Sequence, residues 1–391
     1  MNPWFLIVAY SIIYFYCLLS SEDPFCAPVI YGYFIFFYTI SYPIYHWLTL
    51  GFEVHSYVNL NTILISGMLF YCGVLISHLG YKLNDNYIIL KESGSRYYII
   101  RLYLVLFSVP FFSSIYSALT SNVQFKYELD TVGIANILSY FFILFSFIYV
   151  FYAKKRFILL SVLFLSLFMI YYLTTGERDM FVRLFLMFLI TYYFRNYVGR
   201  KVVILVLLIG FLAIPLSQSM KGLLSYGAHI INNDSFVTSL FSGEFMSQGR
   251  NFNYMLVYHD RMMYYYDNML INDLLRFFKI SSFSSSSLFG EYIVGRSGGA
   301  GIGFTFLGQI YYSLGFFGLF IMGLSIGFIL RLLRIAAPKS PVYIYVYITF
   351  LFGVSYSLRA DFANLLANTI KIGLAPVLIL FLSERAINRF R

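Results

Sequence analysis

Residues 202–219, VVILVLLIGFLAIPLSQS, run into a long stretch of mixed polarity from Lys221 to about Ala300, and the contrast between the two decides the fold. The first segment has close to the ~20 apolar residues that a bilayer demands of a spanning helix. The second is the only place where the chain leaves that pattern long enough to build something else. Apolar runs of the same kind recur at 4 to 20, 28 to 47, 59 to 79, 98 to 119, 132 to 152, 157 to 174, 180 to 195, 304 to 330, 342 to 358 and 363 to 382. The reading is therefore an all-α polytopic membrane protein with about eleven (10 to 12) transmembrane helices. It forms one membrane domain over 1–391, with one long loop at 220–303 inserted between spans.

Composition agrees. Of 391 residues, 60% are hydrophobic and 11% charged, against about 25% charged in an ordinary soluble domain. A soluble core cannot hide that much apolar surface, whereas lipid-facing helices need not. The 44 Phe and 38 Tyr fit as span filler and interfacial belts. Cys17, Cys26 and Cys72 have neither metal-ligand nor redox spacing and read as small hydrophobes. Met1-Asn2-Pro3-Trp4 lacks a basic leader region and a small-residue cleavage site, so the first run is expected to stay as an anchor.

The net charge of +10 invites a nucleic-acid reading, which the positions of the charges exclude. Within the long loop, Lys221, Arg250, Arg261, Arg276, Lys279 and Arg296 are balanced by Asp234, Glu244, Asp260, Asp267, Asp273 and Glu291. The excess sits in short clusters between spans, at Lys82 to Arg96, Lys154 to Arg156, Arg195 to Lys201, Arg331 to Lys339 and the C-terminal tail. These fall in alternate connections, which orients the chain with those clusters inside. The connections near 120 to 131, 175 to 179, 220 to 303 and 359 to 362 then face outward together. The first two connections hold no Lys or Arg, so the N-terminus is placed outward by the count alone.

Inside the loop, Asp267 reads as the N-cap of an amphipathic helix over Asn268 to Phe278, lying in the interface with its charges facing away from the bundle. Ser281 to Ser287 reads as a flexible break, and the glycines from Gly290 to Gly303 as tight turns leading back into the bilayer.

No zinc spacing and no phosphate-loop motif is present, so neither a metal nor a cofactor is expected. What the outward side does carry is arginine: Arg178, Arg183, Arg250, Arg261, Arg296 and Arg359. A guanidinium fits phosphate bidentately, so several converging on one cavity would hold a diphosphate. Local ion pairing is the competing reading, since Asp179 and Arg183 are four apart and Asp361 follows Arg359 by two. Lys371 lies two turns inside an apolar span, where a charge costs a few kcal/mol. It is expected to face an internal cavity, near a phosphate or an acid such as Asp361. For proton transfer the candidates are His259, Asp260 and Glu177. A diphosphate leaves readily once its charge is held, so a single base on the acceptor hydroxyl would suffice.

The layout of about eleven spans, the Gly176-Glu177-Arg178-Asp179 turn, the single long outward loop, the segment Gly301 to Tyr311 followed by Leu314-Gly315-Phe316-Phe317-Gly318, and the Arg359-Ala360-Asp361-Phe362 turn together resemble the Wzy-type O-antigen and oligosaccharide repeat-unit polymerases. The resemblance is one of layout over most of the chain and of short motifs over about a tenth of it. It implies a GT-C-like glycosyltransferase of the bacterial inner membrane, without metal or cofactor and probing no nucleic acid. Such an enzyme moves the growing glycan from undecaprenyl pyrophosphate onto a new lipid-linked repeat unit at the periplasmic face. It implies Wzx-type flippase and Wzz-type chain-length partners within the lipid bilayer. Carried over, Arg178, Arg250 and Arg359 would hold pyrophosphate, and Gly301, Gly303, Gln309 and Tyr311 would shape the glycan cavity. An arginine followed eleven positions later by glycine, a loop motif of some members, is absent at Arg178, Arg250 and Arg296, so a two-loop capture scheme does not transfer. An O-antigen ligase or a lipid-linked oligosaccharide flippase is the alternative; the paired halves usual in transporters are not found here.

Overall fold

The computed structural model describes residues 2–51, 57–80, 94–120, 132–153, 156–195, 197–216, 241, 244–258, 269–278, 280, 285–290 and 304–389. Among them every regular element is helical. In chain order these are α1 (Pro3–Ser20), α2 (Ala27–Leu50), α3 (Tyr57–Ser77), α4 (Gly94–Thr120), α5 (Val132–Tyr152), α6 (Phe157–Thr175), α7 (Arg178–Phe194), α8 (Arg200–Leu216), α9 (Glu244–Val257), α10 (Met269–Phe277), α11 (Phe306–Ala336), α12 (Pro341–Ser357), α13 (Phe362–Ala367) and α14 (Ala375–Arg389). A π-helical stretch, Asn368–Leu374, joins the last two.

Each of the eleven expected spans is helical over most of its described residues. Among the described residues seven helices are long and apolar enough to cross a membrane, the architecture of a polytopic membrane protein. The expected spans in α7, α8 and α12 are shorter, at 17 residues each, and α5 is apolar over Ile137–Tyr152.

Helix starts follow local chemistry. Asn2, Thr305, Ser340 and Asp361 each accept a bond from a backbone N–H of the turn they open, which satisfies donors that have no partner inside the helix. Pro3 and Pro341 occupy first-turn positions where a missing N–H costs nothing. Gly176 ends α6 in the left-handed region (φ 74°) with its N–H on Tyr172 O, and α7 begins two residues later.

The core is built around α2, which packs on α1, α3, α9 and α12, and around the tight crossing of α3 with α11. At that crossing small residues let the backbones meet. A Cβ on Gly323 would stand 2.1 Å from Phe70 O, and one on Gly73 would stand 2.3 Å from Phe320 O. Lipid supplies no hydrophobic drive between helices, so close backbone approach is how such crossings are held.

Polar bonds sort the connections between the two ends of the bundle. Arg334 Nη2 lies 2.8 Å from Asp23 Oδ1, both buried. Arg331 donates to Ser77 O, and Arg200 to Leu19 O. The first connection therefore sits at the end that carries the basic clusters. At the other end Trp4 meets Trp47 edge to face at 5.0 Å, which puts the start of α1 on the same side as the ends of α6 and α12. This agrees with the alternation of the basic clusters and fixes the position of α1 relative to them.

The long polar stretch departs from expectation in three ways. Asp267 and Asn268 lie outside the described residues, but α10 is present as expected. Its Asp273, however, is fully buried rather than facing solvent. Asp273 Oδ1 accepts from Ser285 N and Oγ, both at 2.9 Å. That bond pair anchors a helical turn, Ser285–Leu288, where the serine run led us to expect a flexible break; residues 281–284 lie outside the described residues. Serine side chains open turns as readily as they loosen them when a buried acceptor is at hand. A further helix, α9, packs across α2 and was not expected from the pattern.

Candidate functional site

The turn after α6 and the turn after α12 come together over one cavity of about 320 Å³. Gly176, Glu177, Arg178 and Asp179 line one side, and Ser355, Tyr356 and Arg359 another. The amides Asn364 and Asn368 on the α13 and π-helical wall complete its polar surface. Phe34 and Tyr38 of α2, Tyr140 of α5, Phe245 of α9 and Phe352 of α12 form aromatic walls. That volume falls at the lower end of the ~300–1,000 Å³ usual for small-molecule sites.

Two guanidinium groups 181 positions apart in sequence thus share one hollow, with the Arg359 guanidinium 4.7 Å over the Tyr356 ring. A third lies directly behind the wall. Arg183 is 1% exposed and packs against the rings of Tyr140 and Phe352 at 5.3 and 5.4 Å. Its Nε and Nη2 donate to Asp179 Oδ2 at 3.0 and 2.7 Å, and Tyr140 Oη donates to the same oxygen at 3.0 Å. Among the described residues its Nη1 has no hydrogen-bond partner. Arg178, Arg183 and Arg359 against Glu177 and Asp179 leave one positive charge in excess. In a low-dielectric wall that favours an anion.

A second polar constellation holds the rim in place. Gln309 at the start of α11 donates to Asp273 Oδ2 at 2.7 Å and accepts from Phe362 N at 3.1 Å. Asp361 accepts from the backbone N and Nδ2 of Asn364 at 2.9 and 2.7 Å, and from Ser286 N at 3.4 Å. Phe304 N donates to Arg359 O at 2.9 Å. Helix α10, the start of α11 and the Arg359 turn are therefore one hydrogen-bonded unit. Burial, and next the nearby Asp361 carboxylate, push the Asp273 carboxyl above its ordinary value; the bonds from Ser285 and Gln309 oppose the shift.

The structure brings together only part of the expected site. Glu177, Arg178 and Arg359 line the cavity and Arg183 backs it. Arg250 does not reach it: it sits on α9 beside Tyr42 of α2, while Phe245 of the same helix is the one that reaches the cavity. Gln309 is a buried structural bridge. Tyr311 packs in an aromatic group with Phe252 and Phe316. Neither borders the hollow, because the Thr305 cap and the Gln309 bonds turn this segment toward α9 and α10. Lys371 is exposed on the outside of the bundle. The π-helical stretch presents Asn368 and Ile372 to the cavity and turns Lys371 away, and Asp361 is committed to Asn364 and Ser286. His259, Asp260, Arg261, Arg296, Gly301 and Gly303 lie outside the described residues. Among the described residues no group of three His, Cys, Asp or Glu could hold a metal ion.

Asn364, Asn368 and Tyr38 were missed. Two amides four positions apart in an apolar span share one helix face, and that spacing was the signal to read. Tyr38 had none, since it looks like every other tyrosine of the spans.

Comparison of the chain with protein-family models, with curated proteins and with solved structures finds no significant match. The class that fold and site define is a helical membrane protein with an arginine-bearing cavity at one end of its bundle.

Proposed function

We propose that the chain is a glycosyltransferase acting on polyprenyl-diphosphate-linked glycans, of the Wzy-type polymerase kind. The single observation that carries this reading is that Arg178 and Arg359, remote in sequence, line one cavity beside Glu177. Two guanidinium forks suit the two phosphates of a lipid diphosphate. In the reaction the sugar C1–O bond to the diphosphate breaks while a new C1–O bond forms to the acceptor hydroxyl. Glu177 takes the proton of that hydroxyl, and Arg178 and Arg359 stabilise the charge that gathers on the departing diphosphate. Arg183 lowers the cost of that charge from behind the wall. The basic clusters at the far end of the bundle support a cavity that faces outward from a bacterial inner membrane, where a flippase of the Wzx type would deliver substrate and a Wzz-type regulator would limit its growth.

The test is polymerisation of a lipid-linked repeat unit by purified protein in nanodiscs. Arg178→Ala and Arg359→Ala should each lower the yield of long chains by about a hundredfold, the scale of losing one charge-stabilising donor, with single units persisting. Unchanged ladders from well-folded variants would refute the assignment.

A further inference from the structure

The amide wall of the cavity has a donor and acceptor pattern that the arginine side does not share. The Asn364 Nδ2 group donates to Asp361 Oδ1 at 2.7 Å. A carboxylate only accepts, so the amide cannot be turned round. Asn368 Nδ2 donates to the backbone oxygen of Asn364 at 3.0 Å, and a carbonyl likewise only accepts. Both side chains are half-buried and line the cavity. Among the described residues neither Oδ1 accepts a bond from the protein. Across from them Ser355 gives its one hydroxyl proton to Leu351 O at 2.8 Å, which leaves its oxygen as an acceptor too. Each amide is therefore held in one orientation by one of its two Nδ2 protons, and its Oδ1, its second Nδ2 proton and the Ser355 oxygen are left to a ligand.

Such a surface mixes acceptors with donors where the guanidinium side has donors only, so it suits a ligand whose hydroxyls both donate and accept better than phosphate, which has only acceptors to offer at neutral pH. The two asparagines stand four residues apart, so their side chains begin about 5–6 Å from one another on one helix face, comparable to the width of a pyranose ring. We propose that Asn364, Asn368 and Ser355 form a sugar subsite that accepts hydrogen bonds from the hydroxyls of the first saccharide attached to the diphosphate, while Arg178 and Arg359 hold the phosphates. This rests on the diphosphate reading above. It divides the cavity into an arginine side that reads charge and an amide side that reads hydroxyls. Asp361 is a positioning residue within it: it caps α13, and the same carboxylate oxygen sets the orientation of Asn364.

The experiment compares binding of undecaprenyl diphosphate with binding of undecaprenyl diphosphate bearing a single hexose or N-acetylhexosamine, to full-length protein in nanodiscs. The wild type should hold a sugar-bearing lipid roughly three- to tenfold tighter than the bare one, the scale of one or two net hydrogen bonds. Asn368→Ala should erase that preference while leaving bare-lipid affinity unchanged, and Asn368→Thr should recover part of it. Arg178→Ala should weaken both lipids by the same factor. Retained affinity for the bare lipid reports that the Asn368 variants are folded. Equal wild-type affinity for bare and sugar-bearing lipids, or equal loss on both in Asn368→Ala, would overturn the sugar subsite and leave the diphosphate reading standing. A wild type that binds neither lipid would overturn both.

Discussion

Replacing Arg183 by methionine separates what this residue does for the fold from what it does for the site. The side chain is 1% exposed, whereas Asp179 keeps 28% of its side-chain surface open on the cavity side. Methionine fills the slot between Tyr140 and Phe352 but withdraws two of the three donors on Asp179 Oδ2. Removing one partner of a buried ion pair costs about 3–5 kcal/mol. The open side of Asp179 can be partly solvated, so Arg183→Met should fall near ~3 kcal/mol. Asp179→Asn alone strands a guanidinium that is wholly buried and should cost at least as much. The double variant leaves two neutral groups, with Tyr140 still able to donate to the new amide oxygen. It should lose only about 1–2 kcal/mol, less than the sum of the singles by several kcal/mol. The assay is reversible unfolding in mixed micelles across the four-protein cycle, with chain elongation measured alongside. The double variant should regain stability without regaining elongation. A loss below about 1 kcal/mol in Arg183→Met, or additive losses in the double, would refute the account of this pair as a charge-compensated backing of the cavity.

Gln309→Leu should lower stability by about 2–4 kcal/mol, because it leaves both Asp273 Oδ2 and Phe362 N buried without partners; faster limited proteolysis between α10 and α11 would report the loosened rim. The Asp273 carboxyl is held above its ordinary value, so the folded state retains that proton more tightly than the unfolded chain. The stabilisation is complete below the ordinary carboxyl value and falls as pH rises through the raised one. Unfolding measured in steps from about pH 4 to 7 should show this fall in the wild type but not in Asp273→Asn, which is uniformly weaker because its amide meets that of Gln309. Gly323→Ala places a methyl against the Phe70 backbone and should cost about 1–3 kcal/mol by forcing α3 and α11 apart, read as a lower unfolding midpoint. Lys371→Leu should leave elongation unchanged and favour membrane insertion by about 3 kcal/mol, measured in a glycosylation-tagged insertion assay.

The fold was readable because apolar length is set by the bilayer and needs no partner to interpret it. The helices stand where the eleven runs were marked, but the caps Asn2, Thr305, Ser340 and Asp361 were not read, and Asp267, the one N-cap that was, lies outside the described residues. The site was legible only by half. Arg178 and Arg359 could be picked out because they stand on the side away from the basic clusters, but nothing local distinguishes them from Arg250, whose neighbour Gly249 lies against Tyr42. Asp273 looked like the polar face of an amphipathic helix. Its burial depends on Ser285 and Gln309, 12 and 36 positions away, and no periodicity reports contacts at that range. Lys371 failed for the opposite reason: depth along a helix was readable, but its direction was reset by a π-helical turn, which shifts the facing of each residue from the α-helical register.

Internal pairing explains how one cavity can serve two chemistries. In hydrocarbon each polar group must find a partner or a cavity, and the chain satisfies this with direct side-chain pairs: Asp179 with Arg183, Asp23 with Arg334, Asp361 with Asn364. Each pair fixes a side chain in one orientation, so whatever remains unpaired on the far side of that side chain is also fixed. Asp361 thereby determines which edge of Asn364 meets the cavity, and the backbone of Asn364 does the same for Asn368. The specificity of the amide wall then depends on the N-terminal cap of α13. Asp361→Ala should cost about 1 kcal/mol as the loss of a cap, yet it should also free Asn364 to present its donor edge. A sugar preference that survives Asp361→Ala unchanged would mean that the cap and the reading of hydroxyls are unconnected.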